Sequence, residues 1–433
     1  MKYLKTLFCL ILFINIVPTE SARAANDLFQ QIYPSKIPDR IILNLTATPS
    51  ASMAVTWRTD TTVTKGIAQI AVATPDLSYS KSAKEIVATT NTYLMEVEKH
   101  PNIKVNHHSV IFTNLYPDTL YIYRVGNGEI WSEWLHFKTA GEKNDPITFI
   151  YFGDAQNNIK AMWSRVVREA FITAPQANFL LYAGDLINHT DNDLEWHEWF
   201  GGASFIHRTI PSVMTAGNHE YDDLNIDKHW RAQFTLPENG PRGLEELCYY
   251  VDYQDLRLIS IDSETIDESP KFRQLQQTWL DSILTYNPQK WTALTLHIPF
   301  FSTKPSRNNP ELRQAFRPII EKHKVDIVLQ GHDHAYGRGM EKIPSSLNEQ
   351  ESTPTLYVVS VSGPKMYDLS DRSWMTRRAK NNQFFQVITI HNDTLNFKAY
   401  TATRELYDEF LLIKQAGKNK LINKIPAVPE RVE

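Results

Sequence analysis

The chain is short of cysteine, of long apolar runs and of excess positive charge, and each shortage excludes a class of protein. Only Cys9 and Cys248 occur among its 433 residues. Cys9 lies in an apolar run from Leu7 to Val17 that follows Lys2 and Lys5 and precedes Ala22-Arg23-Ala24. Basic, apolar and small residues in that order are expected to form a secretory leader over residues 1–24, cleaved after Ala24. Cys248 is then the only cysteine of the mature chain, which excludes an internal disulfide and a thiolate metal cluster. The apolar run is about half the roughly 20 residues needed to cross a bilayer, and no later segment reaches that length. The mature product is expected to be secreted or periplasmic, without a membrane partner. Lys and Arg number 45 against 49 Asp and Glu, a formal net charge of -4. These totals provide no polycationic field for gripping nucleic acid, which is not expected as a stable partner. A Gly-x-Ser-x-Gly elbow is also missing, so the sequence offers no evident serine nucleophile.

What is present is ordinary globular composition, 42% hydrophobic and 22% charged, at a length that favours two domains. From Arg40 to about Thr139, short β-branched or aromatic runs alternate with turn residues, as in "MAVTWRT", "IAQIAVA" and "LYIYRVG". This predicts an all-β sandwich over residues 38–139. Leu115, Pro117, Thr119 and Tyr121 form a Leu-x-Pro-x-Thr-x-Tyr corner that resembles fibronectin type III domains. The polar stretch "AGEKNDP", residues 140–146, suits a boundary.

Beyond it, strand-like runs such as "ITFIYFG", "FLLYAG", "TALTLH" and "DIVLQG" alternate with helical periodicity, the pattern of a layered α/β domain over residues 146–413. Trp163, Val166, Val167, Ala170 and Phe171 share one helix face, as do Phe272, Leu275, Trp279 and Ile283, and both faces are read as core. "FFQVITIHNDTLNFKAY" predicts a closing hairpin turning at Asn392-Asp393. Residues 414–433 read as a polar, loosely ordered tail.

Where the strand-like runs stop, the same residue types recur: Asp154 in "YFGDAQ", Asp185 in "LYAGDLIN", Asn218 and His219 in "MTAGNHE", His297 in "LTLHIP", and His332 and His334 in "LQGHDHAYG". The carboxyl ends of strands in an α/β sheet face one crevice, so these distant residues are expected to converge there. Carboxylates, an amide oxygen and imidazoles suit iron, zinc or manganese rather than calcium or a soft copper site. Six such ligands with a shared carboxylate suffice for two ions about 3.5 to 4 Å apart, an arrangement that activates water and neutralises a transferring phosphoryl group.

In this order the motifs "GDAQ", "GDLIN", "GNHE", "LTLH" and "GHDH" resemble the calcineurin-like metallophosphoesterases. The preceding fibronectin-like domain and the continuation "HDHAYGR" resemble the purple acid phosphatases in particular. The resemblance spans residues 38–413 and implies a four-layer αββα catalytic domain after the sandwich. It implies that Asp154 and His334 bind one metal, that Asn218, His297 and His332 bind the other, and that Asp185 bridges them. His219 is then the residue beside the substrate, oriented by Glu220, and a metal-bound hydroxide is the nucleophile. The implied activity is hydrolysis of small phosphate monoesters. A phosphodiesterase or nucleotide pyrophosphohydrolase uses the same ions, and a non-catalytic surface binding protein with a degenerate site is the reading of a different class.

The chain also departs from the family pattern. The tyrosine that gives purple acid phosphatases their colour falls three residues after the second aspartate, where this chain has Asn188. The histidine used more widely falls two residues after the first aspartate, where it has Gln156. A colourless centre is the expectation, with Gln156, Asn188 or water completing the first metal. A histidine pair of the plant enzymes is replaced by Ser306 and Arg307; Arg307 and Arg338 are each candidates for phosphate oxygens or for solvent. Trp196, His197 and Trp199 are read as packing a short helix. Asn44, Asn188 and Asn392 begin matches to the glycosylation acceptor pattern.

Overall fold

The alternation of apolar and polar residues after Arg40 produces strands β1 (Asp39–Leu45), β2 (Met53–Asp60), β3 (Ile67–Val72), β4 (Lys84–Val87), β5 (Thr89–Val97), β6 (His100–Phe112), β7 (Leu120–Gly126) and β8 (Leu135–Lys138). The computed structural model describes residues 31–433 apart from 142, 144, 341–354 and 416–417, so the leader read over residues 1–24 lies outside the described residues. Strands β4-β3-β7-β8 form one antiparallel sheet, and β1-β2-β6-β5 form the facing layer. Phe112, Tyr123 and Phe137 pack ring to ring between them. The predicted corner closes as expected, with the Tyr116 amide donating to the Tyr121 hydroxyl at 2.8 Å.

The α/β domain opens with three parallel strands, β9 (Ile147–Phe152), β10 (Phe179–Ala183) and β11 (Ser212–Thr215), each buried along its whole length. A short ribbon, β12 (Tyr221–Asp222) and β13 (Asn225–Ile226), follows. A second sheet is built from β14 (Tyr249–Tyr253), β15 (Leu256–Ser260), β16 (Trp291–Leu296), β17 (Ile327–Gln330), β18 (Tyr336–Gly339), β19 (Leu356–Val359) and β20 (Met375–Ala379), in the order β14-β15-β16-β17-β19-β18-β20. The chain then returns to the first sheet through β21 (Phe384–His391), β22 (Thr394–Thr401), β23 (Leu406–Gln415) and β24 (Lys418–Asn423). The predicted hairpin is β21 and β22, with Asn392 at φ 53° in its turn.

The period-two alternation within β16, β17 and β19 sets the layering. Trp291, Ala293, Ile327, Leu329, Leu356 and Val358 face the first sheet and join its core. Leu294, Leu296, Val328 and Val359 face the helices Pro270–Thr285 and Pro310–Lys322, where Leu280, Leu284, Leu312, Phe316 and Ile320 cover them. Helices Ser164–Thr173 and Asp193–Ala203 cover the outer face of the first sheet, with Trp163, Trp196 and Trp199 buried there as core. The architecture is therefore a β-sandwich followed by a layered α/β domain.

Two sequence readings change. The tail from Lys414 is not loose: β23 runs through Lys414, β24 pairs with it, and Ala379 bridges Arg431. Asn44 is fully buried, its amide donating to the Ser212 carbonyl at 3.2 Å, so its acceptor pattern is inaccessible in the folded chain. The burial of Asn44 follows from one join. Strand β1 pairs in parallel with β11 at Asn44 and Ser212, which makes a single sheet, β24-β23-β22-β21-β9-β10-β11-β1-β2-β6-β5, running through both domains.

Candidate metal centre

Parallel register brings the strand ends level. Phe152 pairs with Tyr182 and Tyr182 with Met214 across β9, β10 and β11, while Leu296 pairs with Gln330 across β16 and β17. The residues that follow these ends are Gly153-Asp154, Gly184-Asp185, Gly217-Asn218-His219, His297, and Gly331-His332-Asp333-His334. The turns are tight. Gly184 has φ +88°, and a Cβ on Gly331 would fall onto Asp154 Oδ1 and the Ala183 carbonyl. Asp185, His332 and His334 also hold φ of 51°, 74° and 47°, left-handed conformations that cost about 1–3 kcal/mol each and persist only where the surroundings over-determine them.

The structure brings all seven sequence-predicted residues to one crevice. Asp185 Oδ1 lies 3.1 Å from His297 Nε2, which lies 3.0 Å from His332 Nδ1 and 3.2 Å from Asn218 Oδ1. On the other side, His334 Nε2 lies 3.2 Å from Asp154 Oδ2. Asp185, His297 and His332 thus make one group able to hold a cation, and Asp154, Asp185 and His334 make a second, with Asp185 common to both. Neighbours fix which nitrogen of each ring carries its proton. His297 Nδ1 donates to the Ala183 carbonyl at 2.8 Å and His334 Nδ1 to the Lys365 carbonyl at 3.1 Å. A carbonyl can only accept, so the proton on each Nδ1 is fixed and Nε2 is the atom turned toward the crevice.

Electrostatics favour cations at the same place. Burial pushes Asp154 up to about 7, opposed by His297 and reinforced by the negative charge of Asp185. Burial acts in the same sense on Asp185, but His297 holds it well below the ordinary carboxylate range. Burial would lower His297, yet its bond to Asp185 raises it to about 10, so a proton stands where positive charge is wanted. Burial drives His334 down to about 3, and burial followed by His297 drives His332 well below its ordinary value. Both rings are held neutral, the form that binds a metal. Asp154 Oδ2 is buried without a hydrogen-bond donor, which matches an oxygen placed for a cation.

The two candidates for completing the first site separate. The Gln156 amide lies in the crevice, its nitrogen 2.6 Å from Asp185 Oδ2 and 3.2 Å from His334 Nε2. The Asn188 side chain turns away, accepting from Asn157 Nδ2 at 2.9 Å and contacting His189. Its main chain matters instead: the Asn188 carbonyl takes the Nδ1 proton of His219 at 2.6 Å, leaving His219 Nε2, 3.9 Å from Asp185 Oδ2, facing the crevice. Glu220 does not orient His219. Its buried carboxylate accepts from the amides of Asp185, Leu186 and Gly217 at 2.7–2.9 Å and so clamps two of the strand ends together.

Neither arginine candidate is free for phosphate. Arg307 pairs with buried Asp333, and Arg338 makes a fully buried pair with Asp408 at 2.7 Å. Asp333 is a residue that sequence reasoning missed. Between His332 and His334, it accepts from Ser302 Oγ at 2.7 Å and the Thr303 amide at 2.6 Å, tying the histidine turn to the loop after β16. Its only sequence signal was its position between two histidines. Cys248 is buried and burial pushes its thiol well up, so it is inert.

Two family models match in tandem: purple acid phosphatase N-terminal domain over residues 38–139, and calcineurin-like phosphoesterase over residues 147–336. The chain carries a calcineurin-like phosphoesterase domain behind a purple acid phosphatase N-terminal domain. Among curated relatives, an uncharacterized protein of Mycobacterium tuberculosis is 26% identical over 342 residues, covering 70% of this chain and 62% of that protein. The Fe(3+)-Zn(2+) purple acid phosphatase 12 of Arabidopsis thaliana is 27% identical over 279 residues, covering 60% of this chain and 56% of that one. The chain therefore spans about six tenths of the length of these relatives. In fold it is similar to the purple acid phosphatase PPD1 of yellow lupin, with a TM-score of 0.73 at 17% identity, covering 88% of this chain and 75% of that one.

Proposed function

We propose that this protein is an exported, metal-dependent hydrolase of small phosphate monoesters, similar in activity to acid phosphatases. The observation that carries this reading is the convergence of candidate ligand atoms from five strand ends around the carboxylate of Asp185. Asp154, His334 and one Asp185 oxygen would hold one ion. Asn218, His297, His332 and the other Asp185 oxygen would hold a second. Two such ions, when bound, lower the pKa of a water and offset the charge of the phosphoryl oxygens. Iron, zinc and manganese all suit this donor set.

The protein's own contribution is orientation and proton handling. His219, locked by the Asn188 carbonyl, presents Nε2 at the open side of the crevice, where the ring in its doubly protonated form donates to phosphoryl oxygens or gives a proton to the leaving alcohol. The His219 amide also donates to Asp185 Oδ1 at 3.0 Å, holding the shared carboxylate in register with that imidazole. With Asn188 at the position of the family's tyrosine, no phenolate is supplied there to ferric iron. The loaded protein is expected to be colourless, and an intense visible charge-transfer band on iron loading would overturn that part.

The test is metal content together with activity of the purified mature chain on p-nitrophenyl phosphate and bis-p-nitrophenyl phosphate. About two ions per chain and faster cleavage of the monoester are expected. Preference for the diester would favour the phosphodiesterase reading. Less than one ion per chain, with Asp185→Asn indistinguishable from wild type, would favour a non-catalytic binding protein. On the present reading, Asp185→Asn loses metal at both positions and lowers kcat/KM by about 10²-fold or more. Amino-terminal sequencing of the exported product tests cleavage after Ala24.

A further inference from the structure

Beyond β19 the chain passes close under the metal centre and is fastened on both sides of one lysine. The amides of Ser362 and Gly363 donate to the Asp154 carbonyl at 3.0 and 2.5 Å, and the Tyr367 amide donates to the His334 carbonyl at 3.2 Å. Between them, the Lys365 carbonyl takes the His334 Nδ1 proton. The Lys365 side chain is half-buried and reaches back to the crevice, where Nζ lies 3.4 Å from Gln156 Oε1. The amide nitrogen of that same Gln156 is 2.6 Å from Asp185 Oδ2, so the ammonium stands one amide group away from the shared ligand.

This ammonium has no counter-ion among the described residues: the ion pairs formed there do not include Lys365, and its polar contact to Gln156 is neutral and long. A second ammonium, Lys304 Nζ, lies 3.9 Å from the Tyr367 ring centroid, and Lys365 Nζ lies 5.6 Å from the same centroid. The Tyr367 ring in turn packs edge-on against His334 at 4.6 Å. Two cations beside one ring, itself packed on His334, repel each other and together favour a negative group near them. The family's plant-type histidine pair is absent, and Arg307, which stands in its place, is spent on Asp333.

We infer that Lys365, assisted by Lys304, binds a non-bridging oxygen of the substrate's phosphoryl group and makes the site prefer the dianion of a phosphate monoester to the monoanion of a diester. The inference rests on the phosphoesterase reading above and deepens it. A monoester carries one more charged oxygen than a diester, and a charged hydrogen bond to that oxygen is lost when either the ester or the lysine changes.

The experiment uses the purified metal-loaded mature chain and the variants Lys365→Met and Lys365→Arg, with metal content measured in each. Lys365→Met is expected to lower kcat/KM for p-nitrophenyl phosphate by about 10- to 100-fold. It is expected to weaken inhibition by inorganic phosphate similarly and to leave bis-p-nitrophenyl phosphate cleavage within about threefold, while Lys365→Arg restores most of the monoester rate. Equal losses on both esters, or loss of a metal ion in parallel with activity, would overturn the inference, because Lys365 would then act only through Gln156 and His334. A wild type that prefers the diester or cleaves neither ester sinks the monoesterase reading instead. Calorimetric binding of inorganic phosphate then still decides on Lys365, and unchanged affinity in Lys365→Met refutes its role.

Discussion

His219 shows how a single main-chain contact assigns chemistry to a side chain. Its Nδ1 faces a carbonyl, which cannot donate, so the proton on Nδ1 is fixed and Nε2 is the atom that works. The ring sits beside the shared aspartate without joining the ligand groups, at 3.9 Å from Asp185 Oδ2. His219→Asn is therefore expected to keep its metals and to lose about 10²- to 10⁴-fold in kcat, the usual worth of a positioned proton donor. Metal analysis beside steady-state rates checks this, and a variant that loses metal in proportion to rate would make His219 a ligand. The residue scale is also where the sequence was least legible. Gln156 and Asn188 both follow a Gly-Asp turn, and nothing in either motif says which amide enters the crevice. The answer depends on Asn157, whose own side chain takes the Asn188 oxygen. Arg307 and Arg338 were ambiguous for the same reason, since their partners Asp333 and Asp408 lie 26 and 70 residues away.

At the level of elements, the five parallel strands that lead to the site were legible because both faces of each are buried and four of the five runs end in glycine. Their five carboxyl ends, and hence the candidate ligand set, followed from the rule that parallel strands deliver their ends to one side. The edge strand β24 was not legible. "KNKLIN" alternates lysine with other residues, and lysines on an edge strand are what keep it from pairing with another molecule. The same residues therefore read as a polar tail. A second element-level feature was hidden by sequence distance. Arg40 on β1 and Arg58 on β2 both grip Asp193, the first residue of helix Asp193–Ala203, at 2.6 and 3.0 Å, and all three are buried. Burial would raise Asp193, but the two guanidinium groups hold it well below its ordinary value. The helix in turn supplies Glu195, which accepts from the Asn188 amide and so steadies the loop behind His219. Asp193→Ala leaves two arginines buried beside a missing partner and is expected to destabilise the fold by about 3–5 kcal/mol. Urea denaturation measures this, and a loss under about 1 kcal/mol would show that the cluster is solvated on its own.

For the whole molecule, the join between sandwich and catalytic domain decides how the protein meets acid. The short helix Phe205–Thr209 lies at that join: the Tyr123 hydroxyl of β7 donates to the Arg208 carbonyl at 2.7 Å, and Arg208 pairs with Glu133. Within it His207 is fully buried, 2.8 Å from the Tyr182 hydroxyl and stacked on Trp199 at 4.3 Å. Burial, then the charge of Arg208, lowers its pKa to about 3. The sign follows from proton counting. Between pH 6.5 and 3 the unfolded imidazole binds a proton that the folded one refuses, so stability falls as the pH drops through that window. From pH 7 to pH 5 a single such histidine costs about 2 kcal/mol. Burial also raises Asp154 of the candidate metal centre to about 7, so the clean measurement is a difference: the loss of stability between pH 7 and pH 5 in His207→Phe against wild type, both stripped of metal. The variant is expected to lose about 2 kcal/mol less. Equal losses would mean that water reaches His207, and that the join between the two domains opens before the chain unfolds.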